Sequence, residues 1–300
     1  MSINRIAYEL ESKIIVEKVS LKGPGVLILT GPSSCGKGEV ATALCQVMSI
    51  PKQGHLSMGE ILRSTYQRAK HEPSYTFLLK TKYNISNEDN IFDCVDTNES
   101  LTTKVRSYAD ELEKYFGRKK MDDFTSQLEW LEFCTTHGLL VPNRWTQDFI
   151  AAHIEHNVEF LDLPFILDGY PRTVKAAQHL LSFLKQLNIP VIKVLHMSIS
   201  KQEMLSRATK RGRADDDEQS LLARYHFYIE NVQPSIDYFK TELGSDVIAL
   251  IDAHQPVYDI SKHGEKKLNV KKSILNVVAT SLRNLGVSRM TVKDLVEQLM

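Results

Sequence analysis

The stretch Gly31-Pro32-Ser33-Ser34-Cys35-Gly36-Lys37-Gly38 constrains the fold most. It joins an apolar run, Val26-Leu27-Ile28-Leu29, to a helical pattern opening at Glu39-Val40-Ala41. A glycine, four residues and then Gly-Lys, set between a strand and a helix, make a loop whose backbone N–H groups turn inward around phosphates. The lysine ammonium reaches the terminal pair, and the helix adds the positive end of its dipole. A hydroxyl residue usually follows the lysine and sits on magnesium; here Gly38 and then Glu39 stand in that place. A plain Gly/Pro turn is the competing reading, and it accounts for neither flanking pattern.

With 300 residues and 42% hydrophobic content, the chain can bury the core of one large domain or two moderate ones. Lys plus Arg and Asp plus Glu both count 37, so no bulk field favours nucleic acid or an anionic membrane, and neither is expected as a partner. Phosphate binding must come from local placement. Cys35, Cys45, Cys94 and Cys134 form no CxxC pair, which suits a reducing cytosol. Without a signal peptide, lipidation motif or apolar span, cytoplasmic residence is expected.

Along the chain, residues 1–22 read as a short helix or an edge strand before the turn Lys22-Gly23-Pro24-Gly25. Val40, Leu44 and Val47 predict a helix over 37–48, His55-Leu56-Ser57 a short strand, and Ile61, Leu62 and Arg63 a helix over 59–69. Residues 71–98 are poor in periodicity and read as irregular. Two helical stripes follow, Leu101 to Phe116 and Phe124 to Thr135, broken at Gly117 and forming a helical hairpin whose aromatics (Tyr108, Tyr115, Phe116, Trp130, Phe133) read as core. A further helix spans 143–156. Its His153 and His156 stand three apart without a carboxylate or cysteine partner, so no metal site is assigned to them.

Pro164-Phe165-Ile166-Leu167 is a buried strand delivering Asp168 at its carboxyl end. Helix 174–187, strand 191–197, a helical zone 201–243 interrupted near Gly212, and strand 247–251 follow. Strands alternating with helices imply a parallel α/β sheet. The tail holds a Lys/Gly-rich loop over 262–272 and two helices, read as packing elements.

Phosphoryl transfer needs a cradle for donor phosphates, a carboxylate near the metal, and arginines against the charge on the equatorial oxygens. Lys37, Asp168 and the set Arg63, Arg172, Arg207, Arg211, Arg213 and Arg224 can supply these. In open α/β sheets such groups converge at the carboxyl ends of the strands.

In combination these segments resemble the adenylate kinases and related nucleoside monophosphate kinases. Gly36-Lys37-Gly38 is similar to that family's phosphate loop, where glycine follows the lysine. His55-Leu56-Ser57-Met58-Gly59-Glu60-Ile61-Leu62-Arg63 resembles the segment receiving the acceptor nucleotide, and Leu140-Val141-Pro142-Asn143 its next turn. Asp168-Gly169-Tyr170-Pro171-Arg172-Thr173 is the most specific match. Lys210-Arg211-Gly212-Arg213-Ala214-Asp215-Asp216 resembles a short lid, with Arg224 on the following helix. Ile251 to Val257 resembles the loop against the donor base.

The resemblance implies a three-layer P-loop fold with a central parallel sheet. The core is expected at 1–56 and 146–300, an enlarged acceptor-binding helical insertion at 57–145, and a short lid at 201–216. It implies transfer of the ATP γ-phosphate to a nucleoside monophosphate with Mg2+. The donor site would comprise Gly31, Ser33, Ser34, Cys35, Gly36, Lys37, Gly38, Glu39, Arg207, Gln255, Pro256 and Val257. The acceptor site would comprise Ser57, Met58, Arg63, Val141, Gly169, Arg172, Arg213 and Arg224. Lys37, Arg172, Arg211, Arg213, Arg224 and Asp168 would serve transfer, Asp168 holding magnesium through water. The segment 71–138 offers a surface for a protein partner.

Departures also stand in the sequence: Glu39 replaces a threonine, Met58 another, and Ala176 a base-reading glutamine, with Gln178 two residues off register. A regulator or slow ATPase of the same fold is therefore the alternative function. A kinase for a small alcohol would need a general base, and the acceptor-phosphate arginines argue against it. Two further expectations concern the loop and the lid. Cys35 at a helix N-terminus is a candidate for a lowered thiol pKa and redox control, and one of Asp215, Asp216 and Asp217 caps the next helix.

Overall fold

A computed structural model describes residues 3–10, 13–88, 126–136, 141–212 and 218–299. The helical stripe expected from Leu101 to Phe116, its break at Gly117, Phe124, Cys94, Leu139, Leu140, Arg213 and Asp215 to Asp217 lie outside the described residues. The chain divides into two compact units, Met1–Ser57 with Glu159–Met300, and Met58–Val158.

In the first unit, β3 (Gly25–Thr30), β4 (His55–Ser57), β5 (Pro164–Asp168), β6 (Val191–Ser198) and β7 (Ile248–Asp252) form one parallel sheet in the order β4-β5-β3-β6-β7. Every residue of β3 and β5 is buried. That is why both read as unbroken apolar runs: a central parallel strand is covered on both faces. Leu27 and Leu29 of β3 pack with Val40, Ala41 and Leu44 of α1 (Lys37–Val47) and with Val277, Val278 and Leu282 of α10 (Val270–Asn284). By alternation, the equally buried Val26 and Ile28 face the other side. The second helical layer, α6 (Val174–Gln186) against α9 (Gln233–Leu243), completes a three-layer α/β fold.

At the N-terminus the strand alternative of the sequence reading holds, as two strands rather than one, while a tail segment differs from that reading. Residues near the N-terminus form an antiparallel ribbon, β1 (Ile3–Leu10) with β2 (Lys13–Leu21), and Val19 and Leu21 join the core beside Val292 and Leu295 of α11 (Arg289–Leu299). The tail stretch read as a loop carries a second ribbon, β8 (Tyr258–Ile260) with β9 (Lys266–Leu268). Its strands are three residues long, too short to show alternation in sequence. Asp259 ties this ribbon to α10 by accepting from Asn269 Nδ2 at 2.7 Å and Lys272 Nζ at 2.9 Å.

The second unit packs α2 (Met58–His71) against α3 (Pro73–Tyr83), α4 (Gln127–Thr136) and α5 (Asn143–His156). Trp130 and Phe133 are fully buried core, as read. The reading of 71–98 as irregular is corrected over 73–83. Pro73 opens a helix at its first turn, where a missing N–H costs nothing. Only Tyr75 and Leu79 are buried on it, too few to make a visible stripe. Tertiary bonds secure it instead, with Lys82 Nζ and Tyr83 Oη donating to Glu155 of α5 at 2.6 and 2.8 Å.

Arg68 organises this unit. Its guanidinium donates to Glu72 Oε2 at 2.8 Å, to His153 Nδ1 at 2.7 Å and to His156 Nδ1 at 3.1 Å, and lies 4.2 Å from the centre of the Tyr75 ring. Arginine only donates, so both imidazoles must present a bare Nδ1 and carry their proton on Nε2. His156 Nε2 then donates to Ser74 Oγ at 3.0 Å. Burial, and then the Arg68 charge, push His153 from 6.5 down to about 4, with Glu72 opposing. The unfolded chain therefore binds this proton at a higher pH than the fold does. The stabilisation is complete above pH 6.5 and falls by up to about 3 kcal/mol as pH drops toward 4. Thermal melts should show Tm falling over that window, with a shallower fall in His153→Gln; equal slopes would exclude His153 as the cause.

Candidate active site

The turn after β3 is built by a close approach. Gly31 has φ 146°, and a Cβ on it would stand 2.3 Å from Met197 O of β6, so only glycine lets the two strand ends meet there. Ser34 adopts φ 58°, a conformation that costs a non-glycine residue energy, and its Oγ is buried with no hydrogen-bond partner among the described residues. A strained hydroxyl left unsatisfied inside a loop of inward backbone is suited to an oxygen-rich anion. Lys37 Nζ folds over the loop, donating to Gly31 O at 3.0 Å and Pro32 O at 2.8 Å. Glu39 is exposed, and its Oε2 would lie 3.9 Å from a Cβ on Gly36.

Asp168, 9% exposed, ends β5 opposite Leu29 and Ser57 in register. Its Oδ2 would be 3.8 Å from a Cβ on Gly38, which puts the carboxylate at the junction of loop and helix. His55 Nε2 stands 3.5 Å from the same oxygen. Sequence reading missed His55 as a site residue; the signal available was its place two residues before Ser57 on the strand that pairs with β5. A single carboxylate is the kind of hard oxygen donor that holds magnesium together with waters and substrate phosphates. Among the described residues no three His, Cys, Asp or Glu side chains form a metal cage.

After Gly169, with φ 76°, the peptide Tyr170-Pro171 is cis and Arg172 Nε donates back to Gly169 O at 2.9 Å. Desolvation and the like charge of Arg224 lower the Arg172 pKa, while Asp168 opposes them. The residue still has an exposed surface, so its charge remains available to solutes. These three charges therefore act on one another, with Arg224 delivered by α8 (Glu218–Phe227).

A second group gathers after β7. Arg207, on α7 (Lys201–Arg211), donates from Nη2 to Ala253 O at 3.0 Å and from Nε to Glu203 Oε1 at 2.6 Å. His254 Nδ1 approaches the same Glu203 oxygen at 3.1 Å. Gln255 Nε2 donates to Asp252 O at 2.7 Å and Val257 N–H to Ser273 Oγ at 2.9 Å, so α10 braces the loop that carries Gln255, Pro256 and Val257. Glu203 and His254 were not singled out by sequence. Arg211 ends α7 just before Gly212, which caps the helix with φ 65°.

In the second unit, Met58 is buried at the start of α2. Arg63 is exposed and folds back over its own helix, so that a Cβ on Gly59 would stand 3.1 Å from its Nη1. Val141 is half-buried just before α5.

Residues 116–243 match the adenylate kinase family model. The chain is 27% identical over 227 residues to an adenylate kinase of Mycobacterium sp. (strain MCS), spanning 75% of this chain and 92% of that protein. It is 27% identical over 236 residues to one of Corynebacterium urealyticum (79% and 94%), and 28% over 227 residues to one of Mycobacterium ulcerans (75% and 92%). The chain is thus similar to adenylate kinases along about three quarters of its length. The family-model match takes in Asp168 to Arg172, Arg207, Arg211 and Arg224. The fold described above is the family's P-loop arrangement, with the phosphate loop, the end of β5 and α8 brought to one end of the sheet.

The redox expectation for Cys35 is overturned. Cys35 is 2% exposed, and burial raises its thiol pKa more than Lys37, 3.5 Å away through Nζ, can lower it. The helix N-terminus is there, but the sulfur faces the core. Iodoacetamide should label Cys35 far more slowly in the native protein than in urea, by peptide mass spectrometry; fast native labelling would contradict the burial.

Proposed function

We propose that the protein is a nucleoside monophosphate kinase that transfers the ATP γ-phosphate to an acceptor phosphate. The observation that carries this reading is the charge cluster at the end of β5, where Asp168, Arg172 and Arg224 act on one another beside the phosphate loop. Two arginines and one carboxylate suit a transferring phosphoryl group, whose transition state spreads charge over equatorial oxygens. No general base is required, because an acceptor phosphate is already an anion.

Lys37 and the loop amides hold the donor phosphates, exchanging the carbonyls of Gly31 and Pro32 for a charged partner. Arg207, Gln255, Pro256 and Val257 serve the donor base. Arg63 and Arg172 are assigned to the acceptor phosphate, with Ser57, Met58, Val141 and Gly169 completing the acceptor set. Arg211, Arg213 and Arg224 close over the transferring group and exclude water, which limits hydrolysis. Asp168 would hold hydrated magnesium, which would supply positive charge against that of the phosphates. The acceptor base lacks the threonine and glutamine that family members present, since Met58 and Ala176 offer no base-edge hydrogen bonds. Discrimination by unpaired polar groups is accordingly weak.

The test is incubation with ATP, magnesium and each common ribo- and deoxyribonucleoside monophosphate, with chromatography of the products. Diphosphate from at least one acceptor is expected, and none from any would sink the reading. Arg172→Ala should lower turnover at least about 100-fold while ATP binding stays within about 3-fold.

The exposed carboxylate of Glu39 near Gly36 favours a second reading, a nucleotide-binding regulator or slow ATPase with impaired transfer. Glu39→Thr separates the two. Removing one screened like charge is worth about 1 kcal/mol, so ATP should bind roughly 5-fold tighter with turnover changed little. A rise in turnover of about 100-fold would instead mean that the natural loop is impaired.

A further inference from the structure

The helix that carries Arg224 does not run straight into α9. Between α8 and α9 the chain forms one π-helical turn, Tyr228–Val232. The turn comes just before Pro234, which sits in the first turn of α9 and has no N–H to return to Glu230. A π turn holds one residue more than an α turn, and it rotates everything on its N-terminal side relative to α9. Arg224 lies four residues before Tyr228, so the two share a face.

Tyr228 is held from two sides. Gln233 closes the turn twice, its backbone N–H donating to Tyr228 O and its side chain hydrogen-bonding the phenol. The phenol's other partner is His196 Nε2 on β6, at 2.6 Å. Gln233 lowers the phenol pKa, as an amide N–H donating to the oxygen does, which leaves the Tyr228 O–H to donate to His196. Burial keeps His196 toward its neutral form, with Asp237 opposing. Burial first, and then the nearby Cys35 of the phosphate loop, push Tyr228 up to about 12, so the phenol keeps its proton. Val232, Ile236, Phe227 and Ile248 pack around the ring.

We propose that Tyr228 is a positioning residue for phosphoryl transfer: clamped to Gln233 across the π turn and tied to His196 on β6, it fixes the register at which α8 presents Arg224. This rests on the kinase reading. Tyr228 touches no reacting atom. Its effect passes through Arg224, whose charge reaches Arg172, and a displacement of about 1 Å in such a group lowers turnover by one to two orders of magnitude.

The experiment compares full-length wild type, Tyr228→Phe, His196→Leu, His196→Gln and the double variant Tyr228→Phe/His196→Leu. Steady-state kinetics and amide hydrogen exchange over residues 221–233 are read in parallel. Tyr228→Phe and His196→Leu should lower kcat about 10-fold or more, leave the KM for ATP within about 2-fold, and speed exchange in 221–233. His196→Gln keeps an acceptor for the phenol and should restore both readouts. The double variant should be no worse than either single change, since both break one bond. Unchanged exchange would overturn the clamp. Faster exchange with unchanged kcat, or parallel loss of kcat and ATP affinity, would overturn positioning of Arg224. If the wild type transfers phosphate to no acceptor, the kinase reading falls and the role in transfer falls with it, while the exchange arm still decides whether the clamp holds the turn.

Discussion

The backbones of β3 and β5 pair in register, Leu29 opposite Asp168, and the ladder is closed by Gly169 N–H donating to Leu29 O at 3.0 Å. That pairing sets the carboxylate at the same height as the loop that leaves β3. On the other side of β3, β6 comes close enough that Gly31 cannot carry a side chain. Parallel strands must all end at one edge, and the sheet therefore delivers the loop, Asp168 and the base of α7 to the same edge without any of them being adjacent in sequence. The core leucines of β3 hold this register, because a one-residue slip would turn every side chain to the opposite face.

Much of this was legible in the residues. Continuous apolar runs at 26–29 and 164–167 announced central strands, and Gly31 and Lys37 announced the loop. The order of Asp168, Arg172, Arg207 and Arg224 marked the candidate site in the sequence. What periodicity could not reveal were elements held by tertiary bonds. Helix α3 buries two side chains and is secured by Glu155, more than seventy residues away. Ribbon β8–β9 has strands too short for alternation to register. The π turn lies inside a stretch that reads as uninterrupted helix, and Pro234, its one local marker, is equally compatible with an ordinary first helical turn.

Burial explains why Cys35 was misread. Cys35 stands where a helix dipole favours a thiolate, yet desolvation outweighs a dipole worth about 1 kcal/mol at most surface sites. His153 and His156 are spaced for a metal, but Arg68 already occupies both Nδ1 atoms. Spacing tells which groups can meet, whereas the direction in which each side chain leaves its helix decides what it meets.

The chain is neutral overall, with 37 charges of each sign, so its affinity for an anion cannot arise from a general field. It arises from crowding of like charge at one place. Desolvation, and after it the like charge of Arg224, lower the proton affinity of Arg172, yet its guanidinium cannot respond by losing its proton. Asp168 acts on Arg172 more strongly than Arg224 does, and what remains uncompensated is the cost of desolvation. A ligand offering several anionic oxygens relieves both arginines at once through paired N–H bonds, which a single carboxylate does less completely. Glu39 bears on this balance less than its position in sequence suggests. Its carboxylate is exposed, where water and salt screen its repulsion within about 10 Å at 0.1 M ionic strength, while the arginine pair acts in a partly desolvated setting where charge is felt more strongly.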